Sequence, residues 1–380
     1  MWPFLSDEQR AAVETMERFC QKEAAPAIAA QAGRPMLPRE TILPLLRRLG
    51  DFGLGNGRVP EAHGGLGLDP VTAGLIFEAA ARHASEVATV AFINETVALL
   101  LSAHAPQPLR DQYLPKLLAG ELIAASANTE PSGGSDVGAV TARARATANG
   151  FAITGRKVFI TNGQHADFVT VLARSEDSGQ LDIYLVDRHL HGFNATPLST
   201  FGAVSTAELA FDGVEVPVGN RLDTGGKGLG SILASFQEAR AFVALGCIAT
   251  AQAAQDAALA YARERRQFGA PLAAKQLIQA KLADSHVEID AARLLAYRAL
   301  EMKARGMDCA LEASAAKLFA SEMAQRVVDR AVQIHGGYGS DPGFAVERLY
   351  RHVRMGRVYE GATEIQQLLL GRALTGVSAF

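Results

Sequence analysis

A single carboxylate, Glu360, stands near the end of the chain between an aromatic residue, Tyr359, and a glycine, Gly361. Because glycine has no Cβ, a ligand can approach the backbone closely beside this carboxylate. An aromatic neighbour excludes water, and the loss of water raises the pKa of a carboxylate and makes it more basic. These properties suit a general base that removes a proton from carbon. The same residues also fit a solvated glutamate near a helix end, because the run 363–366 can open a helix.

Two segments in the middle of the chain could contact a ligand through backbone amides and hydroxyls. The first, Thr129–Asp136, contains a proline and two adjacent glycines, and its exposed amides could bind a planar polar ligand or a phosphate. It matches neither the dinucleotide-binding fingerprint nor the P-loop, and it also fits a plain loop. The second, Phe159–Gly163, ends a strand in an Asn-Gly turn, where the Thr161 hydroxyl could either face a ligand or cap the strand.

Two further segments lie where long helices end. Arg263, Arg265 and Arg266 crowd one such end, where cations favour the helix dipole but could also clamp a diphosphate. Gln333–Gly339 contains three glycines in four residues, although one glycine suffices to stop a helix, so its backbone could lie against something large and flat. Arg240 lies early in another helix, and its position fits a surface ion pair with a nearby carboxylate.

Composition narrows the class of protein that must position these residues. The chain has 380 residues, 48% hydrophobic and 20% charged, with a net charge of -3 and no basic run, which argues against nucleic-acid binding. Cys20, Cys247 and Cys309 are too far apart for a metal site and indicate buried thiols in a reducing compartment. The start lacks the pattern of a signal peptide, and no stretch is expected to span a membrane. We therefore expect a cytoplasmic enzyme.

The periodicity of apolar residues predicts an α, then β, then α plan. Ser6 and Gln9 form a capping box, so a helix should begin near residue 7. The Asn149–Gly150 pair predicts a hairpin, and the short runs around it predict a compact antiparallel β unit. Long helical segments after residue 230 predict a bundle. The predicted domains of this α+β multidomain chain are an N-terminal α-helical domain at 1–121, a middle antiparallel β domain at 122–229 and a C-terminal four-helix-bundle-like α domain at 230–380.

Individual elements follow from the same patterns. Helices are predicted at Thr41–Leu49, Pro70–Arg82, Ser85–Ala103 and Leu109–Ala119, and later at Gly230–Arg266, Ala273–Arg305, Leu311–Gly336, Ala345–Val353 and Thr363–Thr375. Strands are predicted at Val140–Ala146, Lys157–Ile160, Phe168–Ala173, Asp182–Val186, Ala207–Phe211 and Val214–Val216.

Taken in order, these segments resemble the acyl-CoA dehydrogenase family over nearly the whole chain. The segments that carry the resemblance are Pro60–Asp69, Thr129–Asp136, Phe159–Gly163, Ser205–Leu209, Tyr261–Gly269, Gln333–Gly339 and Tyr359–Gln366. The resemblance implies the fold of that family and a flavoenzyme of fatty acid metabolism that binds FAD at a subunit interface. It also implies a homotetramer built as a dimer of dimers, with an electron-transferring flavoprotein as the electron acceptor.

The resemblance also assigns roles to residues. Glu360 matches the catalytic base, and the substrate would contact Ser135, Arg240, Tyr359 and Gly361. The flavin and its pyrophosphate would contact Ser126, Asn128, Thr129, Gly134, Ser135, Phe159, Ile160 and Thr161. The FAD of a neighbouring subunit would contact Arg265, Arg266, Gln267, Phe268, Gln276, Gln333, Ile334, Gly336 and Gly337, while Thr363 and Glu364 would lie at the diphosphate and Gln366 at the adenosine part.

The implied reaction is the α,β-dehydrogenation of an acyl-CoA thioester to the trans-2-enoyl thioester. Glu360 would take the α-proton while the β-hydrogen leaves as hydride to the flavin. Two departures concern the thioester path: the turn Phe201–Ser205 is one residue shorter than usual and lacks an arginine, and Gln237 stands where Asp or Asn is common. A thioester on a carrier protein, or an unusual acyl chain, is therefore the alternative substrate. A flavin oxidase or hydroxylase relative, and a non-catalytic subunit, are further alternatives that Glu360 argues against.

Overall fold

The computed structural model describes residues 5–31, 34, 36–201 and 204–378. Contacts between Cα atoms divide the chain into two compact units. Unit 1 takes the segments Met1–Arg34, Pro70–Ser85 and Gln237–Phe380, and unit 2 takes Pro35–Asp69 and Glu86–Phe236. The three-domain division expected from the sequence remains a prediction.

The helices of the first third follow their predicted positions closely, except for the short α2, which was not predicted. They are α1 Asp7–Phe19, α2 Ala25–Ala29, α3 Arg39–Gly50, α4 Pro70–His104 and α5 Gln107–Leu118. The capping box at the start of α1 is present, because Ser6 Oγ accepts from the Gln9 amide and the Gln9 side chain accepts from the Ser6 amide. The break predicted between two helices here is confirmed, because the backbone of α4 leaves the helical region at Ala84 (φ -143°, ψ 51°).

A seven-stranded sheet forms the core of unit 2. Its strands are β1 Ala124–Ala127, β2 Arg143–Ala146, β3 Gly150–Thr161, β4 Phe168–Ser175, β5 Leu181–Asp187, β6 Phe193–Pro197 and β7 Thr206–Pro217. The predicted hairpin is confirmed, since β2 and β3 pair antiparallel with Arg143 opposite Thr154. The strand order is β1-β4-β2-β3-β7-β6, and β5 also pairs with β4. The two strands predicted between 207 and 216 form the single strand β7.

The pairing of this sheet corrects the expectation of a purely antiparallel unit. Strand β4 runs parallel to β1 and to β2, so the sheet is mixed. In the chain, β2 and β3 lie between β1 and β4, and β3 lies between β2 and β4. Each parallel pair is therefore joined by a crossover, which allows parallel pairing. Two strands, β1 and β6, were not predicted. Almost all of Ala124–Ala127 is buried, so β1 shows none of the polar alternation that marks a half-exposed strand.

The C-terminal part of the chain returns to long helices. These are α6 Gly228–Glu264, α7 Gln276–Ala304, α8 Ala310–His335, α9 Ala345–Val353 and α10 Thr363–Thr375, with a short hairpin of β8 Arg266–Gln267 and β9 Ala270–Pro271 before α7. Within unit 1, Glu78 on α4 accepts from Arg293 Nε at 2.9 Å and from Tyr297 OH at 2.8 Å on α7. This buried network satisfies polar groups that would otherwise destabilise the helix contact.

Two helices correct the expectation that no stretch reaches the length of a membrane span. Helices α4 and α6 are long and apolar enough to cross a bilayer. However, 67% of the most apolar window of α4 and 56% of that of α6 are buried inside the protein. Burial of these windows accounts for their apolar composition, because core helices need apolar side chains.

Candidate active site

Glu360 lies in a strained turn between a 3₁₀ turn at Arg354–Arg357 and helix α10. Its φ is +54°, a conformation that side chains other than glycine rarely adopt, and Gly361 follows with φ +92°. A residue held in this region costs on the order of 1–3 kcal/mol and persists only where its surroundings fix it. The turn is therefore a place where backbone strain is retained beside a titratable group.

The carboxylate of Glu360 has the electrostatics expected of a base. Its Oε2 is buried and accepts no hydrogen bond. Burial raises the pKa of Glu360 from 4.5 to about 7, and the positive charges of Arg240 and Lys317 oppose that rise. Because this pKa is near neutral and a lone pair is unused, the group can accept a proton near physiological pH.

Side chains from α8 and α10 hold the Glu360 turn. Lys317 on α8 is fully buried and donates from Nζ to the Gly361 carbonyl at 2.7 Å. Gln366 on α10 donates from Nε2 to the carbonyls of Glu360 at 3.2 Å and Gly361 at 3.1 Å. A lysine in an apolar helical stretch gives no local signal of this contact, which is why Lys317 was not predicted.

Two residues expected at the FAD have protein partners in this turn. Gln366 is fully buried, so a ligand would reach it only if the turn moved. Thr363 donates its hydroxyl to Glu322 Oε1 at 2.8 Å, and the same oxygen accepts from Arg357 Nε at 2.7 Å. Glu364 is exposed at the start of α10. Both Thr363 and Gln366 therefore support the start of α10 in this structure.

Arg240 also lies in unit 1, on α6. Its Nη1 donates to Ser314 Oγ on α8 at 3.2 Å, while its buried Nε has no partner. Burial lowers the pKa of Arg240, and the charge of Glu360 opposes that change. A guanidinium with an unused buried donor can interact with a polar ligand. Tyr359 is 40% exposed, and Gln237 is exposed as well.

A cavity of about 550 Å³ in unit 1 brings together residues from two predicted segments. Five residues expected at the FAD of a neighbouring subunit line it, namely Arg265, Gln267, Ile334, Gly336 and Gly337. Tyr261, for which no role was predicted, and His335, which lies within the predicted FAD segment Gln333–Gly337, line it too and stack with their ring centroids 4.4 Å apart. Gln276 and Gln333 are exposed but do not line this cavity.

The β8–β9 hairpin beside this cavity ends in an exposed aromatic side chain. Phe268 has φ +50° and is 96% exposed, although Lys275 lies over its ring. Arg266 donates to the Gly269 carbonyl at 2.9 Å and so closes the turn. An aromatic ring presented this way on a short hairpin is available to a ligand or to another chain.

In unit 2, a buried ion pair anchors the base of the predicted glycine-rich loop. Lys157 Nζ donates to Glu130 Oε1 at 2.9 Å and to the Asn128 carbonyl at 3.0 Å. Burial alone would raise the pKa of Glu130, but hydrogen bonds from Lys157, Thr141 and backbone amides lower it to about 2. The residues beyond this anchor, 131–136, are exposed, including Gly134 and Ser135.

Other predicted residues of unit 2 lie at or near this anchor. Asn128 donates to Ser126 Oγ at 3.1 Å, whereas its own Oδ1 is buried without a partner. Thr129 is half-buried, and its carbonyl accepts from the Val158 amide at 2.9 Å. The unused acceptor of Asn128 beside an exposed loop is compatible with a ligand that donates a hydrogen bond.

Phe159 lies at an irregularity in strand β3. The register of β3 against β7 shifts between Lys157 and Ile160, and Phe159 adopts φ +57° there. Its side chain is 61% exposed, whereas Ile160 is buried and Thr161, at the end of the strand, is half-buried. Bulges re-aim side chains beside functional sites, so this one presents an aromatic ring to the surface of the unit.

The altered turn at Phe201–Ser205 follows strand β6 and precedes β7. Its residues Gly202 and Ala203 lie outside the described residues. Phe201 is 57% exposed, and the Ser205 carbonyl accepts from the Asn162 amide at 2.7 Å. Among the residues that the structure does describe, no group of three or more His, Cys, Asp or Glu side chains could hold a metal ion.

Comparison with known proteins identifies the family. Sequence models of the acyl-CoA dehydrogenase N-terminal, middle and C-terminal domains match residues 6–121, 125–214 and 226–375. An acyl-CoA dehydrogenase of Bacillus subtilis (strain 168) is 35% identical over 98% of this chain and 99% of its own length. The chain belongs to the acyl-CoA dehydrogenase family. The predicted resemblance and the α–β–α fold of acyl-CoA dehydrogenases are therefore confirmed.

Solved structures of acyl-CoA dehydrogenases agree with this. Butyryl-CoA dehydrogenase from Megasphaera elsdenii superposes with a TM-score of 0.91 at 31% identity, covering 98% of this chain and 100% of its own. A glutaryl-CoA dehydrogenase from Mycobacterium smegmatis in complex with FADH2 gives a TM-score of 0.93 at 26% identity, covering 99% of this chain and 96% of its own. The expected class of enzyme, an oxidoreductase of the acyl-CoA dehydrogenase type, is confirmed.

Proposed function

We propose that this acyl-CoA dehydrogenase binds FAD and converts an acyl-CoA thioester to its trans-2-enoyl thioester, with Glu360 as the base. The observation that carries this proposal is the Glu360 carboxylate, which has a buried, unused oxygen and a pKa raised to about 7. A solvated surface glutamate would have neither property. The alternative of a glutamate without a role therefore has less support than it had from the sequence.

In the proposed reaction, Glu360 takes the α-proton of the thioester onto its free oxygen. The α-proton of a thioester is weakly acidic, so the carbonyl must be polarised by preorganised donors such as the backbone amide of the base. Bound FAD would accept the β-hydrogen as hydride, which balances the two electrons removed from the substrate. Arg240 and Lys317 keep the carboxylate ionised enough to act, since their charges oppose the effect of burial.

The residues present fit FAD in several respects. The exposed loop at 131–136, the free acceptor of Asn128 and the exposed ring of Phe159 offer polar and aromatic contacts in unit 2. The cavity lined by Arg265 and Gly336 offers a cation and an exposed backbone, which suit a phosphate-containing ligand. We propose that the residues predicted for FAD hold it. Gln366 donates from Nε2 inside the protein, and its buried Oε1 remains free to accept a hydrogen bond.

We propose a CoA ester as the substrate, in preference to a thioester on a carrier protein. The relatives named for butyryl-CoA and glutaryl-CoA support this choice. Ser135, Arg240, Tyr359 and Gly361 are the proposed substrate contacts. If the acyl group is instead held by a carrier protein, CoA esters should reduce the flavin slowly, and the same acyl group on its carrier should reduce it rapidly.

We also propose that the protein is a cytoplasmic homotetramer that passes electrons to an electron-transferring flavoprotein. An apolar row of three exposed residues on α7, Ala283, Val287 and Leu294, supports self-association, because their spacing places them on one face. Asp290, which pairs with Arg293, lies on the same face between Val287 and Leu294. Val287 is 66% exposed and Leu294 is 52% exposed in the single chain. A row of this kind is typical of a covered surface.

Substitution of the proposed base tests this function. Glu360→Gln should retain FAD but lose thioester-dependent flavin reduction by about 100- to 10,000-fold, because the change keeps the shape and removes the base. Anaerobic stopped-flow absorbance with a panel of saturated acyl-CoA esters would measure this. Glu347→Gln, a carboxylate on α9 that pairs with Arg351, is the matched control and should behave like the wild type. Near-normal reduction by Glu360→Gln would place the base elsewhere.

A further inference from the structure

Helix α8 carries a fully buried lysine close to the proposed base. Lys317 is 0% exposed, and its ammonium group donates a hydrogen bond to the Gly361 carbonyl at 2.7 Å. Burying a charged amine is costly, and lysines are seldom buried unless they have a specific partner. Here that partner is a main-chain carbonyl in the strained turn and not a carboxylate. The position of Lys317 therefore calls for an explanation beyond packing.

The contacts of this lysine determine the backbone of the turn. Gln366 Nε2 donates to the carbonyls of Glu360 and Gly361. The Gly361 carbonyl also accepts a hydrogen bond from Lys317 Nζ. Two consecutive peptide planes after the base are thereby held. Since Glu360 has φ +54° and Gly361 has φ +92°, such holding is what a strained backbone needs in order to persist.

Helix α8 contributes side chains to the whole group. Ser314 and Lys317 are three residues apart, so they lie on the same face of the helix. Ser314 accepts from Arg240, Lys317 holds Gly361, and Glu322 further along α8 accepts from Thr363 at the start of α10. Helix α8 therefore contacts the turn of the proposed base, the neighbouring Arg240 and the start of α10, so one rigid element positions all three.

We propose that Lys317 is a positioning residue for Glu360, which fixes the turn through the Gly361 carbonyl and favours the ionised carboxylate through its charge. This inference rests on the proposed role of Glu360 as the base. The charged and titratable groups that act on Lys317 are Cys247 and Arg240 from α6, Glu322 from α8 and Glu360 itself. Burial lowers the pKa of Lys317 to about 8, so it is mainly charged at neutral pH.

Two substitutions separate the two effects. Lys317→Met removes both the donor and the charge, so flavin reduction should slow by about 10- to 100-fold, and the acid limb of its pH profile should move up by about one pH unit. Gln366→Met removes the other donor and leaves the charge, so the rate should fall without movement of the acid limb. Stopped-flow flavin reduction at saturating acyl-CoA from pH 5.5 to 9 measures both quantities on the FAD-loaded enzyme.

The control is Lys303→Met, the same change at a lysine that is 48% exposed and 3.9 Å from Glu238. It should leave the rate and the acid limb unchanged. If Lys317→Met does not fold, the shift of the acid limb of the pH profile is measured on Lys317→Gln, which keeps a hydrogen-bond donor without the charge. An acid limb that stays in place in the Lys317 variants would overturn the proposal. If flavin reduction is lost in Glu360→Gln while Lys317→Met keeps the wild-type rate and acid limb, Glu360 remains the proposed base. That result would refute only the role of Lys317.

Discussion

Glu360 combines two features that each oppose folding. Its backbone has φ +54°, and one of its carboxylate oxygens is buried without a hydrogen bond. Backbone strain and a desolvated carboxylate are usually retained where function requires them. A glycine at the same position would relieve the backbone, and a solvated position would relieve the charge. That both are kept at one residue is consistent with selection for reactivity at the expense of stability.

The raised pKa of Glu360 predicts how stability depends on pH. The folded pKa of about 7 lies above the ordinary value of 4.5, so the folded chain binds more protons than the unfolded chain between these values. The contribution of Glu360 is therefore fully present below pH 4.5 and is lost as the pH rises through about 7. Glu360→Gln should then melt at a higher temperature than the wild type at pH 8, with a smaller difference at pH 5. A difference in Tm that does not change with pH would show that the carboxylate is not destabilised by burial.

At the scale of elements, α6 packs closely against the 3₁₀ turn that precedes Glu360. Gly356 lies in the 3₁₀ turn that precedes Glu360, and a Cβ at this position would lie 2.5 Å from Cys247 Sγ on α6. Cys247 is buried, so its sulfur has little room to move. The absence of a side chain at Gly356 is therefore a packing requirement of this turn.

Filling this position should destabilise the protein. Gly356→Ala is expected to cost about 1–3 kcal/mol, because overpacking in a core forces neighbours to shift. In a Cys247→Ala background most of that loss should disappear, which urea unfolding of the single and double variants would measure as a coupling energy. Gly371→Ala on α10, where nothing lies within 4 Å of an added Cβ, is the control and should be neutral or slightly stabilising. Additive losses in the double variant would mean that another contact limits Gly356.

The elements also show how far the sequence predicts this fold. Helices α9 and α10 were predicted at their observed bounds, because each is amphipathic or capped by local signals. The parallel pairing of β1 with β4 was not predicted, because strand partners are chosen by packing between distant segments and not by local pattern. The same holds for Lys317, whose partner Gly361 lies 44 residues away. Local signals pointed to Glu360 as the proposed base, but the residues that hold its turn depend on tertiary contacts.

At the scale of the whole molecule, the apolar row on α7 predicts self-association. Replacing Val287 and Leu294 together by aspartate should yield a smaller species, because burying two carboxylates in an apolar contact is unfavourable. Light scattering coupled to size-exclusion chromatography would measure the mass. Val218→Asp, at a valine that is 69% exposed in unit 2, is the control and should keep the wild-type mass. An unchanged mass for the α7 variant would exclude this face as the interface.

The placement of the thiols has a consequence for the chemical durability of the chain. Cys20, Cys247 and Cys309 are all buried, and all belong to unit 1. Burial raises the pKa of Cys20 and of Cys247 to about 12, so at neutral pH these sulfurs are thiols and lack the anionic form that peroxide attacks. Oxidation of Cys20 or Cys247 in a sample would therefore mark molecules in which unit 1 had opened.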